Sequence, residues 1–379
     1  MPPKHNKSKK AAADDSEEFQ ALLSQLSKAT KSNGKEQQKE RSKEDTLRKK
    51  KNDSHEALVK KNNTSDMEQY LQRQQQQRQL QAIFQQMMMA SNRPHLNAPN
   101  TAFHGEADAL PGKFEIGVGS MQGWRTNMED AHVVDVKTVG SDSGLFAVFD
   151  GHAGDLCAKQ SKVLFPALVT KHLEKDTLEV NFDAAFHELD AVLRGRLKDD
   201  SGCTACGVLI TSKKVTCASV GDSRAVLCRG ETAIDLSQDH KPDDDLEKLR
   251  IEAAGGHVES NRVNGQLAMS RAIGDYSYKQ QLERGVDEQL VIAKPDVVSK
   301  DRTAEDRFVV VACDGIFDVL SNQELVDFIN DEIKKDATQS LTKICEAVCN
   351  RCLAPVSATG GPTTAAGTDN MTVVIIKLL

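Results

Sequence analysis

Carboxylates stand at the ends of apolar runs through much of this chain. Asp150 closes GLFAVFD and is followed by Gly151 and His152. Asp314 closes FVVVACD and is followed by Gly315. Asp222 follows CASVG, Asp369 comes just before the last run, MTVVIIKLL, and Glu129 and Asp130 immediately precede AHVVDV. A carboxylate at the end of a buried strand is costly unless something positive meets it. Asp-Gly favours tight turns, so any one of these residues also reads as turn chemistry. For the set as a whole that reading weakens, because most have no basic residue beside them in the sequence. A cluster of hard oxygen ligands without matching His or Cys points to Mg²⁺ or Mn²⁺ rather than zinc.

The elements that must position these groups are short. FEIGVGS, AHVVDVKTV, GLFAVFD, CTACGVLIT, KVTCASV, RAVLCRG, RFVVVACD and MTVVIIKLL are rich in Val and Ile and mostly bounded by Gly, Asp or Ser, so they read as strands. Helical spacing predicts one helix pair at 155–173 and 181–198, and a second at 322–334 and 338–353. Strands grouped with strands and helices arriving in pairs favour an α+β fold over a βαβ repeat. Residues 354–368 are small, contain Gly and Pro, and read as loop.

The 379 residues carry a net charge of −7, which argues against nucleic acid as a partner. That average joins two unlike parts. Residues 1–110 hold 19 basic and 14 acidic residues, whereas 111–379 hold 30 and 42. The first part contains a basic run (Arg48, Lys49, Lys50, Lys51), a Gln cluster and a Met triplet, and no strand-like run of β-branched residues. Its composition predicts a low-complexity, largely disordered extension with helical patches, set before a folded domain at 111–379. Phe19, Leu22, Leu23 and Leu26, with Ser16 as N-cap, form one apolar stripe; Leu80, Ile83, Phe84, Met87 and Met88 form another. Neither helix buries its stripe alone, so each would dock on a protein partner, self-associate or fold transiently. No apolar run reaches the ~18 residues of a membrane span. The first residues lack the apolar stretch of a signal peptide, and Pro2 stands where myristoylation needs Gly. Nine Cys without a secretory signal suggest reduced thiols. The expected location is the cytoplasm, with the nucleus as a second compartment if the basic run is an import signal.

Seven segments occur in order: GWRTNMEDAH (123–132), FDGHAG (149–154), SGCTA (201–205), VGDSRA (220–225), LAMSRAIGD (267–275), ACDGIFDV (312–319) and GTDNMT (367–372). Together they resemble the metal-dependent protein Ser/Thr phosphatase family, type 2C, over about residues 113–379. The resemblance implies a four-layer α-β-β-α sandwich, two antiparallel sheets flanked by helix pairs, with a monomeric catalytic domain. It implies hydrolysis of phosphoserine and phosphothreonine in proteins, by in-line attack of a water or hydroxide bridging two Mg²⁺ or Mn²⁺ ions. Asp150 would bridge the ions, with the Gly151 carbonyl on one of them. Asp314 and Asp369 would hold the other, and Glu129 and Asp130 would act close by, partly through water. Asp222, Asp314 and Asp318 match a third, weaker metal site. Arg125 would grip the phosphate and His152 would protonate the departing oxygen. The rival is a catalytically silent binding or scaffold protein on the same fold, which would require lost ligands.

Other patterns carry less. Gly117, Gly119 and Gly123 give GxGxxxG, which is not the dinucleotide spacing. Cys345 and Arg351 have the C-x5-R spacing of a tyrosine-phosphatase loop, but Cys345, Cys349 and Cys352 recur as a helix face without a glycine cradle. Cys203 and Cys206 lie three apart in a strand pattern, so they point to opposite faces and are not a zinc pair. Arg271 has no catalytic role assigned. The acidic DDDLE stretch in 238–260, the region of the family's flap, is expected to disfavour acidic substrates.

Overall fold

The computed structural model describes residues 95–137, 140–281, 283–358 and 360–379. The two N-terminal helical stripes and the basic run at 48–51 lie outside the described residues. The strands that build the two large sheets are β1 (His95–Leu110), β2 (Phe114–Arg125), β3 (Ala131–Asp135), β4 (Gly144–Phe149), β5 (Ala205–Ile210) and β6 (Lys214–Val220), followed by β7 (Arg224–Arg229), β8 (Thr232–Asp235), β9 (Asp296–Asp301), β10 (Asp306–Ala312) and β11 (Met371–Leu378). The helices are α1 (Leu156–Lys171), α2 (Phe182–Arg194), α3 (Asp245–Ala253), the single turn α4 (Asp314–Phe317), α5 (Asn322–Lys335) and α6 (Leu341–Cys352).

One sheet runs β1-β2-β11-β10-β7-β8 and the other β9-β6-β5-β4-β3, with antiparallel neighbours throughout. The period of two along each strand sorts side chains into layers. On β10, Val309 and Val311 face the other sheet while Phe308, Val310 and Ala312 face α5 and α6. On β4, Phe146 and Val148 face inward between the sheets while Leu145, Ala147 and Phe149 face α1 and α2. Both faces of these strands are therefore buried, which is why they read as unbroken apolar runs. The result is the four-layer α-β-β-α sandwich.

Helix boundaries follow capping chemistry. Asn181 accepts from the Ala184 N–H at the start of α2. Ser321 and Glu324 form a capping box on α5, and Ser340 caps α6. Edge-to-face ring contacts run from Phe149 to Phe165 to Phe186 to Phe182, with centroids 5.5, 5.5 and 6.4 Å apart. They tie the end of β4 to α1 and α2, immediately before Asp150. The glycines of GxGxxxG serve packing: a Cβ on Gly117 would lie 2.5 Å from the Leu341 carbonyl carbon, and one on Gly119 would lie 2.7 Å from the Cys345 Cβ. They let α6 rest directly on β2.

One element departs from the sequence reading. Residues 95–110, which fall in the stretch assigned to the extension, form β1 and pair with β2 from His95↔Arg125 to Leu110↔Phe114, with register shifts near Asn100. The strand has almost no β-branched residues and is exposed along most of its length. Pairing with β2 and burial of Phe103 against the α5–α6 layer hold it in place.

Candidate active site

Antiparallel pairing brings one end of each sheet together. β2 ends at Arg125, β10 runs into Cys313 and Asp314, and β11 begins just after Asp369 and Asn370. In the other sheet β4 ends before Asp150, β3 begins after Glu129 and Asp130, and β6 ends two residues before Asp222. Carboxylates scattered over 240 positions thereby meet at one end of the sandwich.

The backbone of Asp150 is fixed by Thr204, which donates its N–H to the Asp150 carbonyl at 2.9 Å and accepts the Asp150 N–H on its hydroxyl at 3.1 Å. Asp130 and Asp150 each place a carboxylate oxygen within 4.8 Å of the other's and of the Cys313 Sγ. Both Asp130 oxygens, Asp222 Oδ1 and Asp314 Oδ1 are buried without a hydrogen-bond partner. Burial, with repulsion from Asp369, pushes the Asp130 carboxyl up to about 7. Burial and then repulsion from Asp314, Asp130, Asp369 and Asp222 lift Asp150 well above the usual carboxylate range. Asp314 is lifted likewise, by burial and by Asp222, Asp369 and Asp318. Asp314 opens the turn α4 and Asp318 closes it, its N–H bonding the Asp314 carbonyl at 2.7 Å, so the helical turn expected between them is present. Glu129 is raised mainly by burial, with Arg125 and His152 opposing. Gly151 lies so close to this loop that a Cβ on it would sit 2.4 Å from the Glu129 carbonyl oxygen.

Orphaned, mutually repelling carboxylate oxygens are the donor set a hard divalent cation requires. Cys313 does not change that assignment. Burial and the surrounding carboxylates push its thiol far up, so it remains protonated.

Arg125 Nη2 donates to Asp369 Oδ2 at 2.5 Å and remains half-exposed, with its charge at the mouth of the cluster. His152 is paired through Nε2 with Asp275 Oδ2 at 2.7 Å. Burial lowers its pKa, but the attraction of Asp275 outweighs this and holds it above the ordinary histidine value.

Several contributors were not assigned from the sequence. Lys241 meets Asp222 at 2.6 Å, and Asp275 and Cys313 have the contacts just given. Asn370 accepts the Glu129 N–H at 2.9 Å and donates to the carbonyls of Gln122 and Asn127 at 2.8 and 2.9 Å. It thus fixes the loop that carries Glu129 and Asp130. Asp275 and Asn370 lie inside the segments LAMSRAIGD and GTDNMT, but nothing in those strings says which partner each meets. Asn370→Ala would leave three part-buried backbone groups without their side-chain partner, and about 1–3 kcal/mol of stability is expected to be lost. Equilibrium denaturant unfolding of the variant checks this.

The remaining patterns are structural. Arg271 binds Glu247 at 2.8 Å, Asp296 at 2.7 Å and the Lys294 carbonyl at 3.1 Å. Glu247, part of DDDLE, is buried. Despite burial, its bonds to Arg271 and Ser270 and the charge of Arg250 pull its pKa down to about 2. Its charge is therefore neutralised inside the protein and adds nothing to an acidic surface. All nine cysteines are free and buried. Cys203, on the two-residue strand Gly202–Cys203 of a small separate sheet, faces the α1–α2 layer, and Cys206, on β5, faces the space between the sheets. Burial pushes Cys345 well up and Cys349 and Cys352 to about 12, which excludes a thiolate nucleophile on α6.

The sequence profile described as Protein phosphatase 2C matches residues 114–360. Protein phosphatase 2C homolog 2 of Schizosaccharomyces pombe is 44% identical over 277 residues, covering 70% of this chain and 73% of its own. Probable protein phosphatase 2C 21 of Arabidopsis thaliana is 36% identical over 334 residues, covering 75% and 92%. Among solved structures, a phosphatase from a pathogenic strain of Toxoplasma gondii is similar with a TM-score of 0.61 at 25% identity, over 73% of this chain and 96% of that one.

Proposed function

Because this chain belongs to the protein phosphatase 2C family and is a protein serine/threonine phosphatase, we propose that it acts by metal-assisted direct hydrolysis at the end of the sandwich where its carboxylates converge. The observation that supports this most is the set of buried, unpartnered oxygens on Asp130, Asp222 and Asp314 around Asp150. Asp150, the Gly151 carbonyl, Asp314, Asp369, Glu129 and Asp130 would hold two Mg²⁺ or Mn²⁺ ions, with Asp222 and Asp318 completing a third, weaker site with Asp314. Such ions lower the pKa of water and offset charge on the phosphoryl oxygens. Arg125 binds the phosphate through its planar fork, drawn toward the site by Asp369. His152 gives a proton to the departing serine or threonine oxygen. No covalent phospho-enzyme is needed. A silent binding protein would lack carboxylates at these positions, and the chain carries one at each of Glu129, Asp130, Asp150, Asp222, Asp314, Asp318 and Asp369.

The substrates are phosphorylated proteins. The extension remains a candidate for partner docking or self-association, and no described helix is long and apolar enough to cross a membrane. A truncation that tests the extension should remove residues 1–92, where the compact unit Arg93–Leu379 begins, because a cut at 110 would also remove β1.

The test is turnover of a phosphothreonine peptide by the full chain with Mn²⁺, beside Arg125→Ala. The wild type is expected to turn over, and the variant to lose about 10²–10³ in kcat/KM, the equivalent of a charge-assisted bidentate contact. Equal kcat/KM in both would remove Arg125 from the phosphate site.

A further inference from the structure

The partner of His152 sits in an uncommon backbone conformation. Asp275 has φ 53° and ψ 44°, the left-handed region that L residues rarely occupy. Gly274 before it has φ 82°, and its N–H is held by Asp190 Oδ1 at 2.8 Å. A small sheet orders the surroundings: Gly151–His152 pairs with Gly202–Cys203, which pairs with Ile273–Gly274. Gly202 therefore lies between His152 and the chain that carries Asp275. A Cβ on Gly202 would sit 2.1 Å from Asp275 Oδ2 and 2.5 Å from His152 Nε2. Strained backbone on one side and a bare glycine on the other both serve a single contact, the 2.7 Å bond between Asp275 and His152. The other ring nitrogen, Nδ1, is buried and has no hydrogen-bond partner.

We propose that Asp275 is the positioning residue for His152: it accepts the Nε2–H, so that Nδ1 is the atom that delivers the proton to the departing oxygen. The step balances simply. The P–O bond to the substrate breaks, its electron pair goes to the serine or threonine oxygen, and that oxygen takes the proton from Nδ1. The imidazole is left neutral with its remaining proton on Nε2, facing Asp275, and the oxygen gained by phosphorus comes from water. The inference rests on the reading of His152 as the acid and adds which nitrogen acts and what aims it.

The experiment compares the full chain, Asp275→Asn, His152→Ala and the double variant, with Mn²⁺, on a phosphothreonine peptide and on p-nitrophenyl phosphate. The alcohol needs a proton to leave and the nitrophenolate does not. Asn tolerates the left-handed conformation, so Asp275→Asn keeps the backbone. His152→Ala is expected to lose about 10²–10³ in kcat on the peptide and less than about 10-fold on the aryl ester. Asp275→Asn is expected to lose about 10–100-fold on the peptide only, and to add nothing in the His152→Ala background. Equal losses on both substrates for His152→Ala would remove the acid itself and the proposal with it. A split for His152→Ala, with equal losses for Asp275→Asn or a further loss in the double variant, would overturn the positioning role alone. A second readout needs no turnover: ¹⁵N NMR of the neutral His152 ring in the metal-free full chain should show the proton on Nε2. A proton on Nδ1 would overturn the proposal.

Discussion

Asp150→Asn is expected to lower kcat on a phosphothreonine peptide by at least about 10³-fold while raising the thermal midpoint of the metal-free protein. The first effect is the loss of the carboxylate proposed to lie between both ions, equivalent to about 4 kcal/mol or more of transition-state stabilisation. The second follows from the electrostatics. Asp150 is partly buried, and desolvation and repulsion from Asp314, Asp130, Asp369 and Asp222 make its ionised form unfavourable in the folded chain. A carboxyl whose folded pKa is raised contributes least to stability when ionised. Asn keeps the shape and removes the charge, so the metal-free variant gains stability and its midpoint rises by a few degrees. Metal-loaded wild type and variant should differ in the opposite direction, because only the wild type has the full ligand set. Activity within tenfold of wild type, together with a lowered metal-free midpoint, would show that Asp150 is an ordinary structural carboxylate.

What could be read beforehand followed local rules. The ends of β4 and β10 were visible because apolar runs buried on both faces stop at an Asp. Cys203 and Cys206 do face different layers, but they lie on two strands of two sheets rather than on the single strand that the alternation reading assumed. β1 was not visible, since HLNAPNTAFHGEADAL carries no alternation and a single β-branched residue, Thr101. Its strand conformation comes from its partner β2. β9 was missed for a related reason: DVVSKD is a partly exposed edge with only two adjacent Val, too short to register as a pattern. Side-chain pairings were beyond reach for another reason. Asp275 and His152 lie 123 positions apart, and Asn370 and Glu129 lie 241 apart. A motif can flag such residues, but which of them touch is a property of the packed layers. Glu247 shows the reverse error. It counted as surface acidity in DDDLE, yet it is buried beneath Arg250 and Arg271.

Chelation of divalent ions is expected to abolish turnover, and the affinity for added Mn²⁺ is expected to rise steeply with pH below about 7. Ligand carboxyls must be ionised to bind a cation, so protons compete with the metal. Asp130 has its carboxyl raised from 3.8 to about 7, so its proton competes in the neutral range, and the upward shift of Asp150 adds competition in the same direction. Each proton displaced contributes about a tenfold gain in affinity per pH unit below its pKa. The same shifts govern the metal-free protein with a definite sign. A raised acid pKa gives stability that is fully present below the unfolded value of 3.8 and lost as pH rises through about 7. Metal-free protein should therefore melt at progressively lower temperature between pH 5 and pH 8, and the increment in midpoint on adding Mn²⁺ should grow over the same interval. Calorimetric titration in two buffers of different ionisation enthalpy measures the protons released at pH 6.5, with at least one expected per binding event. Binding that is independent of pH and releases no protons would place the metal elsewhere than on Asp130 and Asp150, and full turnover in excess chelator would overturn the metal-assisted mechanism.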